Sequence, residues 1–255
     1  MMSLGGDAAG RFMLDIQRRA AENAQLEPDR IAEIEAAERQ RAQEQLADRR
    51  RRMRDASGIP PRFATAKLEQ IEINAGNEHA VHAAARVVAS DFQESLALYG
   101  NEPGAAVGNG KTLIAAAILN AAIDACVPAK FLRASSMFDA LHQASKYQSD
   151  GDVIEILQEL ATVRVLVIDD LGRESLTQRT IPWLHDLFDR RLCELRGLVV
   201  TSNLDLLQLH EHYAEICEAR SEPRSTADGI VDRLRGMIPK ERWVKVTGRS
   251  QRGRS

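Results

Sequence analysis

The turn Val107-Gly108-Asn109-Gly110-Lys111-Thr112 constrains this chain more than any other stretch. It follows an apolar run, Leu96-Ala97-Leu98-Tyr99, and opens a helical run from Leu113 to Asp124. Strand, glycine turn and helix in that order make a cradle for an anion. Glycines let the backbone wrap closely, and the helix N-terminus presents unpaired N–H groups at the positive end of its dipole. In such a cradle Lys111 reaches the β- and γ-phosphates of a nucleoside triphosphate, and the Thr112 hydroxyl holds Mg²⁺. The strict pattern wants its first glycine at position 105, which is Ala105. Removing Glu102 to Ala106 leaves Gly100-Asn101-Val107-Gly108-Asn109-Gly110-Lys111-Thr112, which satisfies the pattern in full. The loop therefore reads as one that begins at Gly100 and carries extra chain, with Gly100, Gly108, Asn109, Gly110, Lys111 and Thr112 as its nucleotide-binding positions.

Around this turn, helix and strand patterns alternate. Strands are expected at Ser95–Tyr99, Lys130–Arg133, Val163–Ile168, Leu198–Thr201 and Trp243–Val246. Helices are expected at Val81–Ala89, Leu113–Cys126, Ser136–Lys146, Val153–Ala161, Ile181–Leu195 and Gly229–Met237. Such alternation predicts an α/β fold, a parallel sheet sandwiched by helices. The breaker Ser57-Gly58-Ile59-Pro60-Pro61 sets a boundary between residues 1–56 and 57–255. Before it, Pro28 to Met53 reads as one long helix of strong helix formers whose apolar stripe (Ile31, Ile34, Ala42, Leu46) is thin. A helix this polar builds no core of its own, so residues 1–56 read as an N-terminal helical extension that meets a partner. Its basic end, Arg49-Arg50-Arg51-Arg52-Met53-Arg54, is either a solvated face or a contact with DNA phosphates or an acidic partner.

Two further elements support the phosphate cradle. The apolar strand Val163–Ile168 ends in Asp169-Asp170, about 60 residues beyond the Lys-Thr pair. In this Walker B arrangement Asp169 serves the Mg²⁺ shell, and Asp170 stands where many ATPases orient the attacking water. The next strand ends in Thr201-Ser202-Asn203, from which Asn203 can sense the γ-phosphate or the water.

Taken in order, Asp169-Asp170-Leu171-Gly172, the helix with Arg190-Arg191, and Val199-Val200-Thr201-Ser202-Asn203 resemble the AAA+ ATPases of the DnaC-like helicase loaders and IstB-like transposition helpers. Ser57-Gly58-Ile59-Pro60-Pro61-Arg62-Phe63 is similar to the lead-in of that core, Asp232-Arg233-Leu234 to its arginine box, and Gly248-Arg249-Ser250-Gln251-Arg252 to its C-terminal motif. The resemblance implies a P-loop AAA+ sheet with ATP and Mg²⁺ as cofactors. It implies catalytic roles for Asp170, Asn203 and Arg233, the last as an arginine finger acting on a neighbouring subunit, and a metal role for Thr112 and Asp169. It also implies an ATP-dependent homo-oligomer, with single-stranded DNA and either a replicative helicase or a transposase as partners. The extra residues 102–106 withdraw N–H groups from the β-phosphate and bring Glu102 near an anion, so slow hydrolysis suited to a switch is expected. An adaptor that hydrolyses nucleotide weakly or not at all is the alternative.

Composition narrows the partners. A net charge of −3 gives no global attraction to nucleic acid, and 4% aromatic residues argue against a base-stacking platform. The three cysteines (Cys126, Cys193, Cys217) form no CxxC pair, and His79, His82, His210 and His212 come without the partners a zinc site wants. No apolar run reaches the ~18 residues of a membrane span, so no membrane partner and a cytoplasmic location are expected.

Overall fold

The computed structural model describes residues 13–15, 17–19, 28–100, 110–147, 150–174, 177 and 180–247. The chain forms two compact units, Met1–Arg49 and Arg50–Ser255. Most of the first unit's described residues belong to helix α1 (Pro28–Ala56), whose last two turns lie in the second. Alanine, glutamate, glutamine and arginine favour this helix along its length. Every side chain from Ala32 to Arg49 is exposed, Ile34 and Leu46 included.

The second unit is built on a parallel sheet of five described strands in the order β2-β3-β4-β1-β5. These are β1 (Leu96–Tyr99), β2 (Ala129–Arg133), β3 (Val165–Leu171), β4 (Gly197–Ser202) and β5 (Trp243–Lys245). Between and after them run α2 (Glu78–Ala89), α3 (Lys111–Asp124), α4 (Ala134–Tyr147), α5 (Asp150–Thr162), α6 (Ile181–Cys193), α7 (Leu206–Ala219) and α8 (Arg224–Met237). The strands alternate between two apolar layers. Val165, Val167 and Val199 face the layer that holds α2 and α3, whereas Leu166, Ile168, Leu198 and Val200 face the layer of α4 to α8. This is the period-2 signature of a sheet covered on both faces. Helix α3 is apolar nearly all round (Ile114 to Ile123), as a helix wedged between sheet and α2 must be. The chain leaves β1 for the far edge at β2 and returns through β3 and β4 to lie beside β1. Ligands of open parallel sheets bind at the carboxyl ends of the strands flanking such a switch.

Two differences from the expected elements matter. Strand β3 starts later than expected, at Val165, and continues through both acids to Leu171, because Asp169 pairs with Arg133 and Leu171 with Ser202. The register slips between Ile168 and Leu171, and Asp170 takes φ +60° there. Helix α7 had no counterpart in the sequence pattern. Its start is marked by a capping box: Asp205 accepts from the Gln208 N–H (2.9 Å), and Gln208 accepts from the Asp205 N–H (3.0 Å).

Arg191, on α6, is fully buried. It donates to the carbonyls of Leu160 (2.5 Å), Ala161 (3.3 Å) and Val163 (3.0 Å), and to that of Gly197. It thereby closes the C-terminus of α5 onto the start of β4. The breaker segment also has partners: the Phe131 N–H donates to the Ser57 carbonyl (2.7 Å), and Asn120 Nδ2 donates to the carbonyls of Phe63 and Ala66 (both 2.9 Å).

Candidate functional site

The site forms where β1, β3 and β4 end and α3 begins. Gly110 caps α3 at φ +94°, a left-handed conformation that a side chain would strain; among the described residues no neighbour crowds its Cβ position, and the backbone angle itself calls for glycine. Among the described residues no side chain caps this helix, and its first turn carries no acid. The N–H groups of such a helix start lie at the positive end of its dipole and suit an anion.

Lys111 is buried beside them. Its ammonium donates to the Gly100 carbonyl (2.6 Å), past the end of β1, and to Asn203 Oδ1 (3.2 Å), past the end of β4. Burial lowers its pKa; Asp170 and then Asp169 oppose this, and Arg173 adds to it. The Thr112 hydroxyl donates to Asp169 Oδ1 (2.9 Å). The same oxygen accepts from the Thr201 hydroxyl (2.6 Å), which in turn accepts from the Asp170 N–H (3.0 Å). Burial raises the Asp169 carboxyl above the usual range. Hydrogen bonds from Thr201 and Thr112 pull it back, Asp170 raises it and Arg133 lowers it.

The structure therefore brings Gly100, Gly110, Lys111, Thr112, Asp169, Asp170 and Asn203 together. Gly108, Asn109, residues 102–106 and residues 248–252 lie outside the described residues. Arg233 makes none of these contacts. It lies on α8, where its Nε donates to Asp189 Oδ1 of α6 (2.8 Å) and its Nη1 to the Gly229 carbonyl (3.1 Å). Thr201 is a residue the sequence reading quoted without a role. It links both acids, and its place one strand over from Asp169 was the available signal.

The donor set suits a nucleotide and its cation. Oxygen ligands, here the Thr112 hydroxyl and the Asp169 carboxylate, are what Mg²⁺ prefers, and a buried ammonium beside a helix N-terminus is matched to phosphate oxygens.

A five-stranded parallel sheet of this order, with a lysine–threonine helix start facing an acid-ended strand, is a P-loop AAA+ fold. The chain belongs to the IstB-like ATP binding protein family, which matches residues 15–255. It is 26% identical over 179 residues to the uncharacterized protein YdaV of Escherichia coli (strain K12), covering 69% of this chain and 66% of that one. It is 25% identical over 167 residues to the replicative helicase loader DnaC of Buchnera aphidicola subsp. Schizaphis graminum (strain Sg), covering 64% of this chain and 65% of that one. The chain thus spans just under two thirds of the length of these curated relatives. The crystal structure of DnaI superposes with a TM-score of 0.61 at 26% identity, over 75% of this chain and 96% of that one. Among the described residues no helix is long and apolar enough to cross a membrane.

Proposed function

We propose that the chain is an AAA+ ATPase that binds ATP with Mg²⁺ and loads a replicative helicase onto single-stranded DNA. The observation that carries the ATPase part is the Thr112–Asp169–Thr201 hydrogen-bonded chain beside the buried Lys111–Asn203 pair. ATP and its cation supply the phosphoryl group and neutralise its charge. Lys111 exchanges its Gly100 and Asn203 partners for phosphate oxygens. Thr112 and Asp169 hold the cation, Asp170 orients the attacking water, and Asn203 meets the γ-phosphate or that water. Arg233 leaves Asp189 to reach the nucleotide of a neighbouring subunit in an ATP-dependent homo-oligomer; its planar, permanently charged fork suits developing phosphate charge.

The loader part is supported by the relative named for helicase loading, the DnaC of Buchnera aphidicola. Residues 1–56 serve as the partner-binding extension and 57–255 as the ATPase domain, in keeping with the exposed Ile34 and Leu46 of α1. A transposition helper is the second reading, favoured by the match to the IstB-like family. A weakly hydrolysing adaptor is favoured by the extra loop residues 102–106.

Titration with ATP and ADP, on the native chain, on Lys111→Ala and on a chain lacking residues 102–106, tests the ATPase reading. Tight binding and turnover that Lys111→Ala abolishes are expected. No ATP binding at millimolar nucleotide sinks the ATPase. Capture of a replicative helicase by residues 1–56 is expected for a loader, and capture of a transposase instead identifies the helper.

A further inference from the structure

A buried acid next to the site has no role in this reading. Glu174 is 4% exposed and Tyr213 1% exposed. The Tyr213 hydroxyl, from α7, donates to Glu174 Oε1 (2.6 Å), and the Gly172 N–H donates to Glu174 Oε2 (2.7 Å). Burial raises the carboxyl's pKa; Tyr213 first, then backbone N–H groups and His212, lower it. Taking a carboxylate out of water costs more than an apolar side chain of similar size, so stability alone gives no reason to keep one here.

What Glu174 holds is the turn leaving Asp170. That turn departs from ordinary strand geometry twice, at Asp170 (φ +60°) and at Gly172 (φ +89°). A Cβ on Gly172 would sit 3.0 Å from the side chains of Leu204 and Leu209, so the turn packs closely against the start of α7. Its near side is fixed by β4: Thr201 accepts from the Asp170 N–H, and the Ser202 hydroxyl donates to the Leu171 carbonyl (2.6 Å). Its far side is fixed by Glu174, whose carboxylate joins the Gly172 N–H to the Tyr213 hydroxyl. Asp170 directly follows Asp169, which accepts from Thr112 at the start of the phosphate cradle, and its charge acts on the Lys111 ammonium. A left-handed aspartate holds such a position only when its surroundings over-determine it.

We propose that Glu174 and Tyr213 are positioning residues for hydrolysis, their hydrogen bond fixing the turn that directs Asp170 toward the bound triphosphate. The inference rests on the ATPase reading above. Neither residue touches nucleotide; both act through Asp170.

The test is steady-state ATP turnover by the full chain, with Tyr213→Phe and Glu174→Gln as conservative variants and Lys111→Ala as control. Tyr213→Phe keeps the ring and removes the donor. It should lower kcat about tenfold and leave KM for ATP within about twofold, the pattern of an interaction that matters to the reaction and not to binding. Glu174→Gln can accept from Gly172 and donate to the tyrosine oxygen, so it should keep kcat within about threefold of the native value. Amide exchange over residues 169–174, followed in the same samples, should accelerate in Tyr213→Phe and stay near native in Glu174→Gln. Native kcat in Tyr213→Phe, with turnover that Lys111→Ala abolishes, overturns the positioning role and leaves the ATPase reading standing. A native chain whose turnover is no higher than that of Lys111→Ala overturns both. A fall in kcat with unchanged exchange at the turn overturns the proposed route through Asp170.

Discussion

Thr201→Val is a substitution whose cost can be worked from the structure. Valine keeps the shape of threonine and suits a buried strand, so packing in β4 is retained. The change deletes one oxygen that makes two bonds, donating to Asp169 at 2.6 Å and accepting from the Asp170 N–H at 3.0 Å. A hydrogen bond to a charged acceptor contributes about 1.5–3 kcal/mol, and an N–H left without its partner costs about 1 kcal/mol. The expected loss is about 2.5–4 kcal/mol. For a unit of about 200 residues, each kcal/mol moves Tm by about 2–4 °C, so Tm should fall by roughly 5–16 °C. Thr201 also lowers the Asp169 pKa. Its loss should raise that pKa further and move the acid limb of the turnover profile to higher pH. Thermal unfolding followed by far-ultraviolet circular dichroism, with Thr201→Ser as the hydroxyl-keeping control, measures the first effect; turnover against pH measures the second. A Tm shift below about 2 °C, or an acid limb that stays in place, would refute the reasoning that Thr201 ties the two acids together.

Asp169→Asn should abolish turnover and yet raise Tm at pH 8. The Asp169 pKa is higher folded than unfolded, so the folded state binds the proton more readily and stability falls as pH rises between the two values. The gain from asparagine should therefore shrink as pH drops below the folded pKa, which unfolding at pH 8 and pH 4 will show. Arg191→Met should cost about 3–5 kcal/mol in urea unfolding, since it orphans four buried carbonyls. Burial and Arg196 push the Arg191 pKa down to about 9, so the guanidinium is still charged at neutral pH and the loss should be full there.

Local patterns made most of the fold legible. The apolar run ending at Ile168 reads as a buried strand, although β3 itself starts at Val165, and glycines, lysine and threonine before an alanine-rich run read as the opening of a helix packed on a sheet. The parallel sheet followed from the alternation, as did the meeting of Lys111, Thr112, Asp169 and Asn203, because each sits at the carboxyl end of a parallel strand or at the helix start beside it. Less legible was whatever depended on side chains reaching between distant segments. Helix α7 went unread because its charged residues and histidines blur its apolar stripe, although Asp205 and Gln208 marked its start. With α7 unread, nothing in the sequence brought Tyr213 and Glu174 together. Adjacent in sequence, Arg190 and Arg191 carry no local signal that tells their surroundings apart. Only the packing of α6 against the end of α5 shows that one of the two points inward to four carbonyls and the other pairs with Asp186 at 2.8 Å.

The contact of Asn120 with the Phe63 and Ala66 carbonyls bears on where the chain can be shortened. Asn120 sits midway along the helix that begins with Lys111 and Thr112, is 3% exposed, and gives its amide hydrogens to that leading segment. A chain trimmed to begin at Ser57 keeps both acceptors and the Ser57 carbonyl that pairs with Phe131. One trimmed to begin at Lys67 uncovers β2 and leaves a buried amide with empty donors in the helix that carries the phosphate contacts. A protease cut between Ala66 and Lys67 would release the same strap, so nicking there should reduce nucleotide affinity even though every residue of the cradle survives.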